Sequence, residues 1–245
     1  LCRERNIALI EDCAQSWGCR YRGRHVGTFG DFGAFSFNDS KHLSCGEGGL
    51  VVTGDRERFL RAHNVADKFY DRHRQGVRLT GLGLNYRMSE LQGAVALAQL
   101  DRLEALTAPR RPLAERLTTQ IADIPGIAPP RVPDGADCSW WFYMLRVDPE
   151  MLGCDRTAFA RRMLELGVAA GAGYIPQPVY RQPVFTNRAF FPGGTWPAER
   201  IAGRSYDYRE VSCPVAERVL ETAVRLPMHA GLAPSDVDDM ARAIR

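Results

Sequence analysis

Lys41 lies in the run AFSFNDSKHLSCGEGGLVV, residues 34–52, between two segments with the composition of buried strands. The first ends in Ser36-Phe37-Asn38-Asp39-Ser40, and the second, Leu50 to Thr53, follows a turn through Gly46-Glu47-Gly48-Gly49. Most lysines are solvated surface groups. An ammonium held between buried strands is costly without a partner, which makes the amine a candidate for chemistry. A carboxylate, Asp12, stands at the end of the apolar run Ile7–Ile10. Such a run reads as a buried parallel strand, and ligands of open α/β sheets gather at the carboxyl ends of strands. Asp12 is thus either a functional carboxylate or a turn or cap aspartate. Gln15 follows three residues later, close enough to share a site with Asp12 if the chain turns there.

The elements that must position these groups can be read from local signals. Tyr21–Val26 reads as a small hairpin around Gly23, and Gly27, Gly30 and Gly33 punctuate the approach to the lysine stretch. Asp55 caps a helix carrying Phe59 and Leu60 on its apolar side. Residues 64–84 read as a long loop, of a length that is usually functional or poorly ordered. It ends in Gly81-Leu82-Gly83-Leu84-Asn85-Tyr86-Arg87-Met88. Ser89 and Gln92 form a capping box for a helix with Leu91, Val95, Ala98 and Leu103 in register. The glycine group 46–49 is either a plain strand-to-strand turn or part of the site.

A change of rhythm near residue 106 divides the chain into residues 1–105 and 106–245. In the second part a helix is expected over about Leu113–Ile121, after Pro109 and Pro112 bend the path. A strand is expected over Trp140–Val147, and a helix opened by Asp155 and stopped by Gly167. A helix over about Pro214–Ala223, a strand at Arg225–Met228 and a helix capped by Ser235 close the chain. This alternation suits a small α/β or α+β domain.

At 245 residues, 25% charged and 45% hydrophobic, the composition is that of a soluble globular protein with one large or two modest domains. No apolar run approaches the roughly 20 residues of a membrane helix. A net charge of +3, with arginines interspersed among acids, argues against nucleic acid as a partner. The seven cysteines show neither zinc-site spacing nor a disulfide framework, and read as free thiols of a reducing cytoplasm. The chain opens on Leu1 and enters a β run almost at once, so it reads as the later part of a longer sequence.

Glu11-Asp12-x-Ala14-Gln15, Phe35-Ser36-Phe37-x-x-x-Lys41 with Gly46-Glu47-Gly48-Gly49, and Leu84-Asn85-Tyr86-Arg87-Met88 together resemble the DegT-type sugar aminotransferases, a branch of the fold type I pyridoxal-phosphate enzymes. Leu226-Pro227-Met228-His229 resembles that family's terminal strand, so the likeness runs along nearly the whole chain. The fold implied is α/β. Residues 1–105 would form the later part of a large cofactor-binding domain, with a mixed, mostly parallel sheet flanked by helices, and residues 106–245 a smaller C-terminal domain.

The resemblance also implies roles. Lys41 would hold pyridoxal 5'-phosphate (PLP) as an internal Schiff base, and as a freed amine would move a proton. Desolvation favours the neutral amine that this needs. Asp12 would face the pyridine nitrogen and keep it protonated, which makes the ring an electron sink. A charge pair near 4 Å at an effective dielectric of about 20 is worth about 4 kcal/mol, ample to fix that proton. Gln15 would lie beside the ring hydroxyl, Ser36 would donate to the phosphate, and Asn85 would reach the neighbouring subunit's cofactor, making the enzyme an obligate homodimer. The implied reaction is ping-pong amino transfer from glutamate or glutamine to a keto-sugar, often nucleotide-linked, or a keto-cyclitol, in aminosugar or aminocyclitol biosynthesis. The alternatives are a non-catalytic PLP-binding or regulatory homologue, or a related PLP enzyme that modifies sugars. Sugar dehydratases of this kind replace the lysine with histidine, and Lys41 argues against that.

Overall fold

Short strands and capped helices assemble as the local signals require, with several shifts of boundary. The computed structural model describes residues 1–72, 79 and 81–245. Early strands are β1 (Ile10–Asp12), β2 (Arg20–Tyr21), β3 (Arg24–His25), β4 (Phe32–Ser36) and β5 (Gly49–Val52). After a helical stretch come β6 (Ile127–Ala128), β7 (Ala136–Asp137), β8 (Tyr143–Val147), β9 (Gly171–Ala172) and β10 (Ala223–Leu226). The chain forms two compact units. One comprises Leu1–Glu115, Arg131–Trp141 and Met228–Ala233; the other comprises Arg116–Pro130, Phe142–Pro227 and Pro234–Arg245. The change of unit therefore falls after Glu115 rather than near residue 106, and the chain returns to the first unit twice. One return is enforced by hydrogen bonding, since β7 pairs antiparallel with β2.

In the first unit β4 is the middle strand of a mixed sheet, parallel to β1 and antiparallel to β5. The parallel register sets Asp12 opposite Ala34. The apolar run Ile7–Ile10, expected as a buried strand, is pairing-competent only from Ile10, and Ile7, Leu9 and Ile10 are exposed. Leu9 spends its backbone on Asp31 instead, donating to the carboxylate at 2.7 Å and accepting from the Asp31 amide at 2.8 Å. The hairpin β2–β3 turns through Arg22 and Gly23, both at positive φ, the requirement of a two-residue turn that matches strand twist.

Glu11 anchors the following loop. Its carboxylate accepts the amides of Gly27, Phe29 and Gly30, each at 2.7 Å. Gly33 has to be glycine there, because a Cβ would sit 2.1 Å from the Gly27 carbonyl oxygen. Beneath the sheet, Trp17, Phe37, Leu43 and Ala96 form a buried cluster joined by Phe35, Met88, Leu100 and Leu103. The Trp17 indole donates to the Ser36 carbonyl at 2.7 Å, so its polar tip is satisfied.

Helix Arg56–Ala66 is capped by Asp55 as expected, and it includes residues 64–66 of the anticipated loop. Of that loop, residues 73–78 and 80 lie outside the described residues. Helix Glu90–Leu100 begins with the capping box of Ser89 and Gln92. Its buried residue is Ala96, whereas Leu91, Val95 and Ala98 face outward. Apolar residues are spread around much of the helix, so hydrophobic period could not choose a face.

The second unit is built on an antiparallel sheet of order β6–β8–β10–β9. Tyr143, Leu145, Val147, Val224 and Leu226 are buried in it, with the Tyr143 hydroxyl 2.8 Å from that of Thr118. Strand β8 starts at Tyr143, later than Trp140, because Trp140 takes a positive φ of 51° that no strand accommodates. Helix Arg156–Glu165 is capped by Asp155 and followed by Gly167 at positive φ, as expected. The terminal helix spans Pro234–Ile244, so Ser235 lies within its first turn rather than at its cap. Arg116 grips Asp238 of that helix with two hydrogen bonds of 2.6 and 2.8 Å. Among the described residues no helix is long and apolar enough to cross a membrane.

Candidate active site

The parallel pair β1 and β4 releases four of the five candidate residues at or beyond its carboxyl end. Asp12 is the last residue of β1 and is exposed; its Oδ1 accepts the Ala14 amide at 3.1 Å, so it shapes the turn that leads to Gln15. Ser36 is the last residue of β4, and its hydroxyl accepts the Asn38 amide at 3.2 Å. Backbone bonds from Phe37 to Gly48 (3.0 Å) and from Cys45 to Phe37 (3.1 Å) close the loop that carries Lys41. Gly46, at positive φ, makes its turn, and Glu47 holds the Asn38 amide nitrogen at 2.9 Å.

Lys41 is half-buried, and its Nζ lies 4.2 Å from the centre of the Trp141 ring. The same indole donates its N–H to the Ser40 carbonyl at 2.6 Å. Trp141 therefore covers the amine with a π face and fixes the backbone beside it, a group that sequence reading missed. The signal was the Trp-Trp pair, which reads as β composition rather than as a site. His42 is buried, with Nε2 3.1 Å from the Ser139 hydroxyl and 3.3 Å from its carbonyl. Burial, then the nearby Arg110 charge, lowers the His42 pKa to about 4, so the ring is neutral near pH 7.

Asn85 stands on a different segment, bridged by its backbone to Asp67. Its Oδ1 accepts from Arg87 at 3.0 Å. Asp67, 3% exposed, is paired with Lys68 (2.7 Å), Arg72 (2.5 Å) and Arg87 (3.1 Å). Hydrogen bonds from Lys68 and then Arg72 hold its pKa down at about 2. Three cations on one carboxylate leave a local positive surplus beside Asn85. A separate open cavity of about 700 Å³ lies between β4–β5 and helix Arg56–Ala66, lined by Phe35, Leu50, Val51, Phe59, His63 and Tyr86 among others; none of the five candidate residues lines it.

The donor set fits PLP in kind. It supplies a carboxylate for a ring cation, a primary amine for an aldehyde, a hydroxyl for a phosphate, and a side-chain amide. No group of acidic, histidine or cysteine side chains among the described residues forms a metal site.

The profile of the DegT/DnrJ/EryC1/StrS aminotransferase family matches residues 1–245. A protein of Micromonospora echinospora provisionally named an L-glutamine:3-amino-2,3-dideoxy-scyllo-inosose aminotransferase is 37% identical over 257 residues, which cover 100% of this chain and 59% of that protein. The solved structure of the aminotransferase TlmJ from Streptoalloteichus hindustanus matches with a TM-score of 0.74 at 29% identity, covering 100% of this chain and 59% of that one. DesV of S. venezuelae, solved in complex with a ketimine intermediate, matches with a TM-score of 0.80 at 27% identity, covering 100% of this chain and 58% of that one. The chain thus spans about three fifths of the length of the curated relatives it matches. A match along every residue, joined to the fold of solved aminotransferases, means that the chain belongs to the DegT/DnrJ/EryC1/StrS aminotransferase family.

Proposed function

We propose that the protein is a PLP-dependent aminotransferase that moves an amino group from glutamate or glutamine to a keto-sugar or keto-cyclitol. The observation that carries this reading is the emergence of one amine, Lys41, and one carboxylate, Asp12, at the carboxyl end of the same parallel strand pair in a chain of this family. The curated relative named for glutamine and an inosose supports a cyclitol acceptor and glutamine as donor. The products would serve aminosugar or aminocyclitol biosynthesis, of antibiotics or polysaccharides, in the cytoplasm, a setting that suits seven cysteines in the free form.

In this reading PLP supplies the electron sink for the electrons left when the donor loses its α-proton. Lys41 holds the cofactor covalently at rest and, as a free amine, takes that proton on Nζ and returns it elsewhere. Asp12 keeps a proton on the ring nitrogen by its negative charge. Gln15 orients the ring through its hydroxyl, and Ser36 donates to the phosphate. Asn85 serves the neighbouring subunit's cofactor, so the working unit is a homodimer. Support for association comes from apolar side chains at the surface near Asn85, among them Leu82 (98% exposed), Tyr86 and Leu91.

The test is direct. The full-length protein with PLP should absorb in the visible, and borohydride should fix the cofactor to the Lys41 peptide, as read by mass spectrometry. A colourless protein, or cofactor fixed elsewhere, removes the reading. Keto-cyclitols and keto-sugars, offered with glutamine and glutamate, then identify the substrates.

A further inference from the structure

Strands β2 and β7 are flanked by two thiols, Cys19 and Cys138, that amino transfer does not use. Their antiparallel register sets Arg20 opposite Asp137 and Tyr21 opposite Ala136, so one step beyond the ladder sets Cys19 opposite Cys138. Directly opposed residues of such a pair have Cα atoms about 4.5 or 5.5 Å apart, within the roughly 4.4–6.8 Å that a disulfide spans. The Cys19 sulfur is hydrogen-bonded to Ser139, the residue that follows Cys138, which brings its backbone N–H to 3.3 Å and its hydroxyl to 3.1 Å from that sulfur.

Donors converging on one sulfur favour its anion. The neighbouring Cys138 thiol first, and the hydrogen bonds of Ser139 with it, outweigh burial and hold the Cys19 thiol below its ordinary pKa, while the same pairing raises that of Cys138. Cys13 shows the contrast, since burial and the neighbouring carboxylates push its thiol up to about 11. Cys19 and Cys138 are only partly buried, so a small oxidant can reach them.

We propose that Cys19 and Cys138 are an oxidisable dithiol, closed to a disulfide by hydrogen peroxide and reopened by a thiol reductant. The Cys19 thiolate attacks one peroxide oxygen; the S–O bond forms, the O–O bond breaks, and the leaving hydroxide takes back the proton that Cys19 gave up to solvent, becoming water. The Cys138 sulfur then attacks the Cys19 sulfur, forming the S–S bond as the S–O bond breaks, and water departs with the Cys138 proton. The two sulfurs together lose two electrons, which reduce one peroxide to two waters.

Closure also turns the sulfur that Ser139 contacts from a thiolate into a neutral disulfide sulfur, a weaker acceptor. Ser139 is bonded on its other side to His42, the neighbour of Lys41, and Trp141 two residues on covers the Lys41 amine. The disulfide thus acts on the strap behind Lys41, and this coupling rests on the aminotransferase reading, whereas the dithiol does not.

The full-length protein, treated with hydrogen peroxide and then alkylated, should yield a Cys19–Cys138 linked peptide by mass spectrometry without reduction. Dithiothreitol should abolish the link and restore a rate of amino transfer lost on oxidation. The C138S variant, or C138A if that folds better, should keep the untreated rate, lose the link, and stop at a Cys19 sulfenic acid that dimedone traps. Separate alkylation of both thiols after peroxide, or links only to other cysteines, overturns the dithiol. A link with an unchanged rate overturns the coupling to Lys41. A protein without amino transfer fails the functional reading alone, because the linked peptide is still read.

Discussion

At the residue scale, Asp12 and His42 show how one site uses charge in opposite ways. Asp12 is exposed and, in the proposed reaction, serves as an anion, so Asp12→Asn should still bind PLP while losing about 10²–10³-fold in the rate of amino transfer. Visible absorbance and steady-state rate separate the two effects, and near-normal turnover would remove Asp12 from its role. His42 is held neutral by its burial. Its folded pKa of about 4 lies below the ordinary value of about 6.5, so below pH 6.5 the unfolded chain takes up a proton that the folded chain refuses. The stabilisation is complete above pH 6.5 and is lost as pH falls toward 4, by up to about 3 kcal/mol. Urea midpoints measured between pH 7 and 4 should fall with this slope, and His42→Asn should flatten it. Lys41 and Asp12 were legible because a lysine between strands and an acid at a strand end are visible as types. Trp141 and Ser139 were not, because they approach Lys41 and His42 across about a hundred residues of sequence and no local pattern encodes that approach.

At the scale of elements, the caps were the most legible features. Asp55, Ser89 and Asp155 cap the helices assigned to them, since a cap depends on a few neighbouring residues. Faces and strand ends were less so: the outward Leu91 and Val95, and a β8 that waits until Tyr143, depend on what surrounds them. The capping box at Ser89 has a second duty, because the Gln92 side-chain nitrogen donates to the Glu47 carbonyl at 2.8 Å. Ser89→Ala should cost about 1 kcal/mol, read as a lower midpoint in thermal unfolding. Gln92→Ala should add a change in cofactor affinity, since it frees the loop that carries Lys41 from the helix.

For the whole molecule, association is the property with most at stake. If Asn85 serves the neighbouring subunit, Lys41→Ala and Asn85→Ala proteins are each inactive, and mixing them rebuilds one intact site per mixed dimer. Activity should return after subunit exchange; its absence after confirmed exchange takes Asn85 out of the cross-subunit role. One consequence reaches beyond the site. Glu11 and Asp12 are neighbours on one strand, and alternation sends their side chains to opposite faces. Glu11 holds three amides, and glutamine there could offer only one oxygen to them. Adjacent acids therefore carry separable phenotypes. In a library scored for both cellular abundance and amino-transfer rate per molecule, substitutions at position 11 should fail on abundance. Those at position 12 should leave the protein plentiful and silence only its turnover.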